Sequence, residues 1–340
     1  MYKLTVKASK RYQITVSDNL NEFGNAVVPT IVGNKVAIIT DTNVAKLYGN
    51  ALDEFLQNKT IYRYVVNAGE QSKSASVYFD LLERLCADEF TRNDTVIAFG
   101  GGVVGDLAGF VASTYMRGIN LVQVPTTILA AVDSSVGGKT AINLDSGKNL
   151  VGSFYQPSAV YVSTQFFKTL PEREVQSGMG EIIKYAFLSK SVTLPMIKAG
   201  ANEQLVYHCL KIKRYVVEKD EKERGLRALL NLGHTVGHAI ESLSNYSISH
   251  GECVVKGLAF SVELSQSLYD IDQSKYSAMR ELLTSCGHDV SCPFGAQQLI
   301  SKIAHDKKGN GETIKFVTVK DIGKPKIVNI DYKQLQKYLG

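Results

Sequence analysis

Histidines are concentrated in one short part of the chain, at a spacing that suits a metal site. Of the six histidines, His234 and His238 lie in NLGHTVGHAIE and His250 begins HGE. Residues four apart share one face of a helix, so His234 and His238 could bind one ion. The carboxylate of Glu181, in MGEIIKYA, could complete a three-ligand catalytic zinc site with an open position. Spacing does not choose among the three histidines, and ordinary helix-surface or capping histidines are the alternative interpretation.

A glycine-rich turn could bind phosphate. It lies in TVIAFGGGVVGDLAGFVA, residues 95–112, between an apolar strand pattern and a helical one. Glycines let a backbone approach a ligand closely, and the N–H groups that open a helix favour anions, so the turn predicts a seat for a pyrophosphate. Asp41 closes an earlier strand pattern, where an acidic side chain can bond a ribose hydroxyl. The usual G-x-G-x-x-G after the first strand is absent, and the alternative is a tight turn with close strand–helix packing.

A set of basic side chains could bind a small anion. Its members are Arg117, Lys139 and Lys148 at predicted loop positions beside glycines, and Lys184, Lys213 and Arg227 on predicted helices. Each of them alone is more typical of a solvated surface charge. Together they would suit a ligand that carries both a carboxylate and a phosphate.

An α/β pattern in the first half of the chain must position the glycine turn. Residues 3–8 and 11–16 alternate and predict a hairpin. Short β-branched runs then predict strands, which are Val36–Thr40, Ile61–Val66, Thr95–Phe99, Asn120–Val124 and Ala159–Val162. Helical periodicity at 43–57 and 73–88 separates the first three runs, as expected for a parallel sheet with crossover helices.

Helical periodicity dominates the second half and must position the histidines. It covers residues 174–190, 203–224, 231–243, 252–270 and 276–285. This pattern predicts an all-helical second domain, beside a run at Thr313–Val319 that fits a late strand or hairpin. We place the boundary near Leu170 and Pro171, which gives domains at 1–170 and 171–340, with a ligand cleft expected between them.

Composition narrows the class of protein. The chain has 340 residues, which favours two domains, and its 44% hydrophobic and 21% charged residues are usual for a globular protein. No signal-peptide pattern and no 18-residue apolar stretch are present, so we expect neither export nor a membrane span. Five cysteines without a C-x-x-C pair fit the reducing cytoplasm. The net charge of +5 forms no basic block, so we expect a small polyanion as ligand rather than nucleic acid.

Longer motifs extend across most of the chain. They are GGGVVGDLAGFVAS, VPTTILAAVDSSVGGKTAIN, GKNLVGSFYQP, KTLPEREVQSGMGEIIKYA, LRALLNLGHTVGHAIE and HGE. By these motifs the chain resembles the 3-dehydroquinate synthases from about residue 41 to about residue 308. The resemblance implies a Rossmann-like α/β N-terminal domain that binds NAD, an all-α C-terminal domain that binds zinc or cobalt, and a homodimer. It also implies a lyase of the shikimate pathway, which converts 3-deoxy-D-arabino-heptulosonate 7-phosphate to 3-dehydroquinate and phosphate.

Individual site residues follow from the same resemblance. It assigns the metal to Glu181, His234 and His250, and makes His238 a substrate or catalytic residue, so the pairing favoured by spacing would be half wrong. The residues implied for NAD are Asp41, Asn43, Glu70, Lys73, Gly101, Gly102, Val103, Val104, Gly105, Asp106, Thr126, Thr127, Lys139, Lys148, Phe166, Phe167, Lys168 and Thr169. Those implied for substrate and catalysis are Asp133, Lys139, Asn149, Lys184, Lys213, Arg227, Asn231, His238, one of Lys307 or Lys308, and Arg117 acting on the neighbouring subunit's site.

Three other functions compete with this interpretation. A metal-dependent alcohol or polyol dehydrogenase would release NADH, but its small neutral substrate would not require the basic set. A related cyclase that makes an inosose or a valiolone would tend to differ at Arg227, Asn231 and His238. A non-enzymatic binding module would leave the metal and nucleotide patterns jointly unexplained.

Overall fold

The structure of the chain is a computed structural model that describes residues 1–306 and 313–339. It divides into two compact units. The first unit contains Met1–Leu170 and Asn202–Glu221, and the second contains Pro171–Ala201 and the chain from Lys222 onward. The functional labels given above to residues 1–170 and 171–340 stay predictions.

The strands and helices are as follows in chain order. The strands are β1 (Tyr2–Lys7), β2 (Arg11–Ser17), β3 (Lys35–Asp41), β4 (Thr60–Val66), β5 (Thr95–Gly100), β6 (Asn120–Pro125), β7 (Lys139–Leu144), β8 (Gly147–Phe154), β9 (Ala159–Ser163), β10 (Thr313–Val319) and β11 (Pro325–Asp331). The helices are α1 (Glu22–Val27), α2 (Thr42–Tyr48), α3 (Ala75–Ala87), α4 (Gly102–Thr114), α5 (Glu172–Leu188), α6 (Leu194–Lys198), α7 (Glu203–Lys219), α8 (His234–Leu243), α9 (His250–Tyr269), α10 (Gln273–Thr284), α11 (Ala296–Asp306) and α12 (Tyr332–Leu339).

The first unit is built on a seven-stranded sheet with the order β1-β2-β9-β6-β5-β3-β4. All neighbours from β2 to β4 are parallel, and β1 is an antiparallel edge strand. Strand β5, TVIAFG, is buried at every position, as expected for the middle of a parallel sheet covered on both faces. Parallel strands end at one edge, so β3 delivers Asp41 and β5 delivers the glycine turn to the same side of the sheet.

A separate antiparallel hairpin of β7 and β8 packs on α4. The packing is close, because a Cβ at Gly109 would lie 2.4 Å from Thr140 Cγ2. Lys139 and Lys148 were predicted at loop positions, and this was wrong, since Lys139 opens β7 and Lys148 lies within β8. The hairpin has two glycines, Gly147 and Gly152, and a weak alternation of polar and apolar residues, which hides the strand signal.

The second unit is predominantly helical, as predicted. The run at Thr313–Val319 is a strand, β10, which pairs with β11 in an antiparallel hairpin. The core of the second unit contains Ile240 of α8, Leu264 of α9, Leu299 of α11 and Phe316 of β10. No helix in the described ranges is long and apolar enough to cross a membrane.

Most of the predicted elements are present. The N-terminal hairpin and the five predicted strands of the sheet correspond to β1–β6 and β9, and the predicted helices after residue 174 correspond to α5 and α7–α10. The helix predicted at 43–57 was too long, because α2 ends at Tyr48. Gly49 and Asn50 follow it, and both residue types disfavour a helix interior.

Helices α5 and α9 cross with their backbones in contact. A Cβ at Gly180 of α5 would lie 2.3 Å from the carbonyl oxygen of Gly251 on α9. A Cβ at Gly251 would lie 1.8 Å from the carbonyl oxygen of Ser177. Real Cβ atoms do not approach oxygen so closely, so only glycine allows this crossing.

Helix α8 approaches α9 in the same way. A Cβ at Gly257 of α9 would lie 1.9 Å from the carbonyl oxygen of Gly233, and one at Gly237 would lie 2.9 Å from that of Cys253. Gly233 precedes α8 with φ of +80°, which glycine adopts without a steric penalty. Glycines therefore set the distances of both α5 and α8 from α9.

We expect Gly251→Ala to destabilise the chain by about 3 kcal/mol, because the added methyl group overlaps the backbone of α5. The midpoint of urea denaturation measures this loss. The control is Gly295→Ala, where the nearest atom to an added Cβ is 3.9 Å away. A Gly251→Ala protein as stable as the control would contradict the close crossing.

Candidate active site

A buried carboxylate and two imidazoles converge in the second unit. Glu181 of α5 is 1% exposed, and its Oε1 lies 3.3 Å from His234 Nε2 and 3.2 Å from His250 Nε2. Its Oε2 lies 2.5 Å from the ammonium of Lys184, one helical turn away. Gly180 precedes Glu181 and Gly251 follows His250, so the helix crossing at these glycines places the carboxylate against the imidazole.

Oxygen atoms behind the two rings fix their orientation. The Nδ1 atom of His234 lies 3.1 Å from the carbonyl oxygen of Leu232, and that of His250 lies 3.2 Å from Glu241 Oε2. An oxygen acceptor at Nδ1 keeps a proton on that nitrogen, so a neutral ring presents the lone pair of Nε2 on its other side. Both lone pairs therefore face the Oε1 atom of Glu181.

Three electron-pair donors that face one another require a cation between them. Ligands about 2.0–2.1 Å from a tetrahedral zinc ion lie about 3.3–3.4 Å apart, which matches the separations of Glu181 Oε1 from the two Nε2 atoms. Zinc and cobalt both accept imidazole and carboxylate ligands. The residues present therefore fit a divalent ion.

The charges of the cluster are consistent with such an ion. Burial opposes ionisation of Glu181, but Lys184 and then His234 outweigh it and hold the pKa of Glu181 well below its usual value. Burial acts to lower the pKa of His250, but hydrogen bonds to Glu181 and Glu241 raise it to about 10. A proton thus occupies the metal-free cluster where the ion would bind, and metal binding would displace it.

His238 lies beside the other two histidines but has a different environment. One ring nitrogen from each of His234, His238 and His250 lies within 4.8 Å of the others. His238 is solvent-exposed, yet desolvation by nearby protein and then the charges of the two other imidazoles lower the pKa of His238 to about 3. His238 is therefore neutral at ordinary pH. The structure brings together all four predicted residues, and the choice of Glu181, His234 and His250 as ligands stays a prediction.

Two other predicted substrate residues of the second unit lie in one turn. Arg227 is 2% exposed in a turn that precedes α8. In the same turn, the amide of Asn231 donates to Glu223 Oε1 at 2.9 Å. Glu223 was not predicted as a site residue, although it lies four positions before Arg227.

In the first unit, α7 and a π-helical turn at Ala130–Ser134 hold a second ion pair. Lys213 of α7 is buried, and its ammonium lies 2.8 Å from Asp133 Oδ1 and also donates to the carbonyl oxygen of Asp133. Burial of an ammonium is costly without such partners. Two residues predicted from the resemblance, far apart in sequence, are thus direct neighbours.

The glycine turn between β5 and α4 has the features of an anion site. Gly101 precedes α4, and the first N–H groups of that helix have no acceptor inside it. A Cβ at Gly101 would lie 3.1 Å from Thr127 Cγ2, and one at Gly102 would lie 3.2 Å from Ser134 Oγ. The turn therefore lies directly beside Thr126 and Thr127, and its free backbone surface fits the phosphates of a dinucleotide.

A polar cluster lies next to this turn. Lys73 is 4% exposed, and its ammonium lies 2.7 Å from Asp106 Oδ2 and 4.0 Å from Glu70 Oε1. It also donates to Asn149 Oδ1. Burial raises the pKa of Asp106, although the charge of Lys73 opposes this. Four of the predicted NAD and substrate residues thus form one group.

The remaining predicted residues have less specific surroundings. Asp41 caps α2 by accepting the N–H groups of Asn43 and Val44, so capping already accounts for part of its role. Phe166 and Phe167 are buried core residues, and of their segment Thr169 contacts Tyr48 through its hydroxyl. Arg117 has a left-handed φ of +66° in the loop before β6. Lys307 and Lys308 lie outside the described residues.

Comparison with a solved structure identifies the class of protein. The structure of 2-deoxy-scyllo-inosose synthase with carbaglucose-6-phosphate, NAD+ and Co2+ is 25% identical to this chain and covers 99% of both chains, with a TM-score of 0.90. The predicted fold class is therefore confirmed, and the fold is that of the sugar phosphate cyclases.

Sequence comparison identifies the family. Models of the N-terminal and C-terminal parts of 3-dehydroquinate synthase match residues 63–177 and 178–309. The 3-dehydroquinate synthase of Enterococcus faecalis is 42% identical and covers 99% of this chain and 98% of its own length. That of Clostridium kluyveri is 38% identical and covers 97% and 96%. The chain belongs to the 3-dehydroquinate synthase family.

Glu241 was not predicted, and we expect it to orient His250 for metal binding. Glu241→Ala removes the acceptor at Nδ1, so the ring can rotate or change tautomer, and affinity for Co2+ should fall about 10–100-fold. Competition with a chromogenic chelator measures this affinity. Glu263→Ala, which removes an exposed carboxylate of α9 paired with Arg280, is the matched control. Equal affinities of the two variants would refute the role of Glu241.

Proposed function

We propose that this chain is a 3-dehydroquinate synthase that uses NAD and a divalent zinc or cobalt ion. Its substrate would be 3-deoxy-D-arabino-heptulosonate 7-phosphate, and its products 3-dehydroquinate and inorganic phosphate. The proposal is supported by the names of relatives that are 38–42% identical over nearly the whole chain. The observation that carries it is the convergence of Glu181, His234 and His250 on one point.

The overall reaction oxidises an alcohol, eliminates phosphate, reduces the ketone again, opens the ring and closes it by an internal aldol step. Bound NAD would supply the hydride chemistry of both redox steps, and Glu181, His234 and His250 would hold an ion that would lower the pKa of the substrate alcohol. Because NAD is regenerated in each turnover, the enzyme is a carbon–oxygen lyase and not a net oxidoreductase.

The chain's own residues bind the anionic substrate. In the first unit, Lys139, Asn149 and Arg117 would compensate the negative charge that develops on the leaving phosphate. Lys213 is held in place by Asp133 before any ligand binds. A cation fixed in this way does not lose side-chain freedom on binding, which strengthens binding.

In the second unit, Lys184 and Arg227 are buried cations, and Asn231 is oriented by Glu223. Buried charges require counter-charges, and a substrate carboxylate would supply one in addition to Glu181, which pairs with Lys184. His238 is neutral and lies next to the proposed ligands, so its ring could donate one hydrogen bond to a substrate hydroxyl group and accept another.

One assay separates this function from its competitors. The purified protein is incubated with 3-deoxy-D-arabino-heptulosonate 7-phosphate and a catalytic amount of NAD. Phosphate release and the absorbance of NADH are measured together. We expect phosphate without net NADH. Net NADH would indicate an alcohol dehydrogenase, and turnover of a hexose phosphate instead would indicate an inosose-type cyclase.

His234→Ala should abolish both metal content and turnover, because it removes one of three ligands. Metal content is measured by atomic absorption after dialysis, and turnover by phosphate release. His208→Ala is the control, since His208 lies on α7 in the first unit and belongs to neither predicted site. Normal zinc occupancy together with normal activity in His234→Ala would refute the assignment of His234 as a metal ligand.

We also propose that the chain forms a homodimer in the cytoplasm, through the hairpin of β7 and β8. Apolar side chains of this hairpin are exposed, with Leu150 at 60%, Leu144 at 44% and Val151 at 37%. Met116 is also exposed, at 47%, and it precedes Arg117, the residue predicted to act on a neighbouring subunit. Contiguous exposed apolar surface commonly marks an interface. The free cysteines fit a reducing compartment.

Leu150→Glu should convert the dimer to a monomer at micromolar concentration, because it places a charge in the proposed apolar interface. Sedimentation velocity measures the change. Leu268→Glu, at a 40% exposed apolar residue of α9, is the control and should leave the dimer intact. Dissociation by both variants, or by neither, would contradict an interface at this hairpin.

A further inference from the structure

Asn143 joins three residues of the polar cluster near the glycine turn. Its amide Nδ2 donates to Glu70 Oε1 at 2.7 Å, and its Oδ1 accepts the backbone N–H of Asn149 at 2.9 Å. Its own backbone N–H donates to the carbonyl oxygen of Lys73 at 2.7 Å. The side chain of Asn149 in turn accepts from Lys73. Asn143, Asn149 and Lys73 therefore form a closed ring of hydrogen bonds, to which Glu70 is attached through the Asn143 amide.

The chemistry of the partners fixes the orientation of the Asn143 amide. The carboxylate of Glu70 can only accept a hydrogen bond, and the N–H of Asn149 can only donate one. A rotation of the amide by half a turn would place oxygen against oxygen and N–H against N–H. Asn143 can therefore satisfy both neighbours in one orientation only.

The backbone of the hairpin is irregular at Asn143. Strands β7 and β8 pair from Lys139 to Ile142, and their register shifts between Ile142 and Leu144. A bulge of this kind removes a residue from the ladder and redirects its side chain, often next to an active site. Here the N–H group of Asn143 bonds to the carbonyl oxygen of Lys73, outside the hairpin.

Asn149 has a backbone conformation that needs support. Its φ is +57°, in the left-handed region that a non-glycine residue adopts at a cost. Its N–H group is held by Asn143 and its side chain by Lys73. Loss of the Asn143 acceptor would leave this conformation without its backbone anchor.

We propose that Asn143 is a positioning residue, which holds Asn149 in its left-handed conformation and ties it to Glu70 and Lys73. The proposal deepens the function proposed above and rests on it, because there Asn149 binds the phosphate while Glu70 and Lys73 bind NAD. In this role Asn143 would act through its bonds to Glu70, Lys73 and Asn149. It links the substrate side of the site to the nucleotide side within the first unit.

The test uses the full chain loaded with NAD, and compares Asn143→Ala, Asn149→Ala and the double variant. Binding of inorganic phosphate is measured by calorimetry, and KM and kcat are measured by phosphate release. Asn143→Ser is a second variant, because the shorter serine hydroxyl cannot reach both Glu70 and Asn149. It is a milder change than alanine and serves as the test if Asn143→Ala fails to fold. Asn34→Ala is the control, because it removes one exposed asparagine side chain that bonds Thr60 in the same unit.

We expect Asn143→Ala and Asn143→Ser to weaken phosphate binding and raise KM about ten-fold, the effect of one lost hydrogen bond, with a smaller change in kcat. Because Asn143 acts through Asn149, the double variant should bind phosphate no more weakly than Asn149→Ala. A purely structural role would instead give additive losses. Additive losses, or an Asn143 variant that behaves like Asn34→Ala, would overturn the proposal.

The two proposals fail in different ways. A wild-type chain that releases no phosphate from the seven-carbon substrate would refute the proposed function. Phosphate binding to the variants does not depend on turnover, so it still decides the role of Asn143.

Discussion

Backbone contact between helices is the constraint on which the candidate metal site depends. Gly180, Gly251 and Gly257 let α5 and α8 approach α9 to distances that no other residue allows. Glu181, His234 and His250 each adjoin a glycine of these crossings. A shift of one helix by the width of a methyl group would separate Glu181 from an imidazole by more than a zinc–ligand bond tolerates. Here the packing of the second unit determines its chemistry.

Charge compensation is the second constraint. Glu181, Lys184, Lys213 and Arg227 are all at least nine-tenths buried, and ionised groups are costly to bury singly. Lys184 pairs with Glu181, and Lys213 pairs with Asp133. These pairs keep the charged groups in fixed positions before ligands bind, as catalysis by electrostatic preorganisation requires. Stability and binding therefore depend on the same side chains.

The sequence predicted the sheet and most helices, because their apolar periodicity is local. It missed the hairpin of β7 and β8, whose glycines weaken the strand pattern and whose position depends on packing against α4. Helical spacing favoured His234 and His238, which share α8, whereas His250 opens another helix and reaches the cluster only through tertiary packing. The glycine next to each of these histidines in the sequence could have indicated the close helix crossings. Asn143 could not be predicted, since its role depends on a shift of strand register.

The path of the chain between the units has a practical consequence. The chain leaves the first unit after Leu170, returns to it for α7 between Asn202 and Glu221, and leaves again. A gene fragment that stops at Leu170 would therefore lack α7, and with it the Lys213 partner of Asp133 and the side chains that accept from the β1–β2 turn. A chimaera of two homologous genes that are joined once, near Leu170, would combine the sheet of one parent with α7 of the other. An intact first unit would have to be expressed with α7 joined to it by a linker.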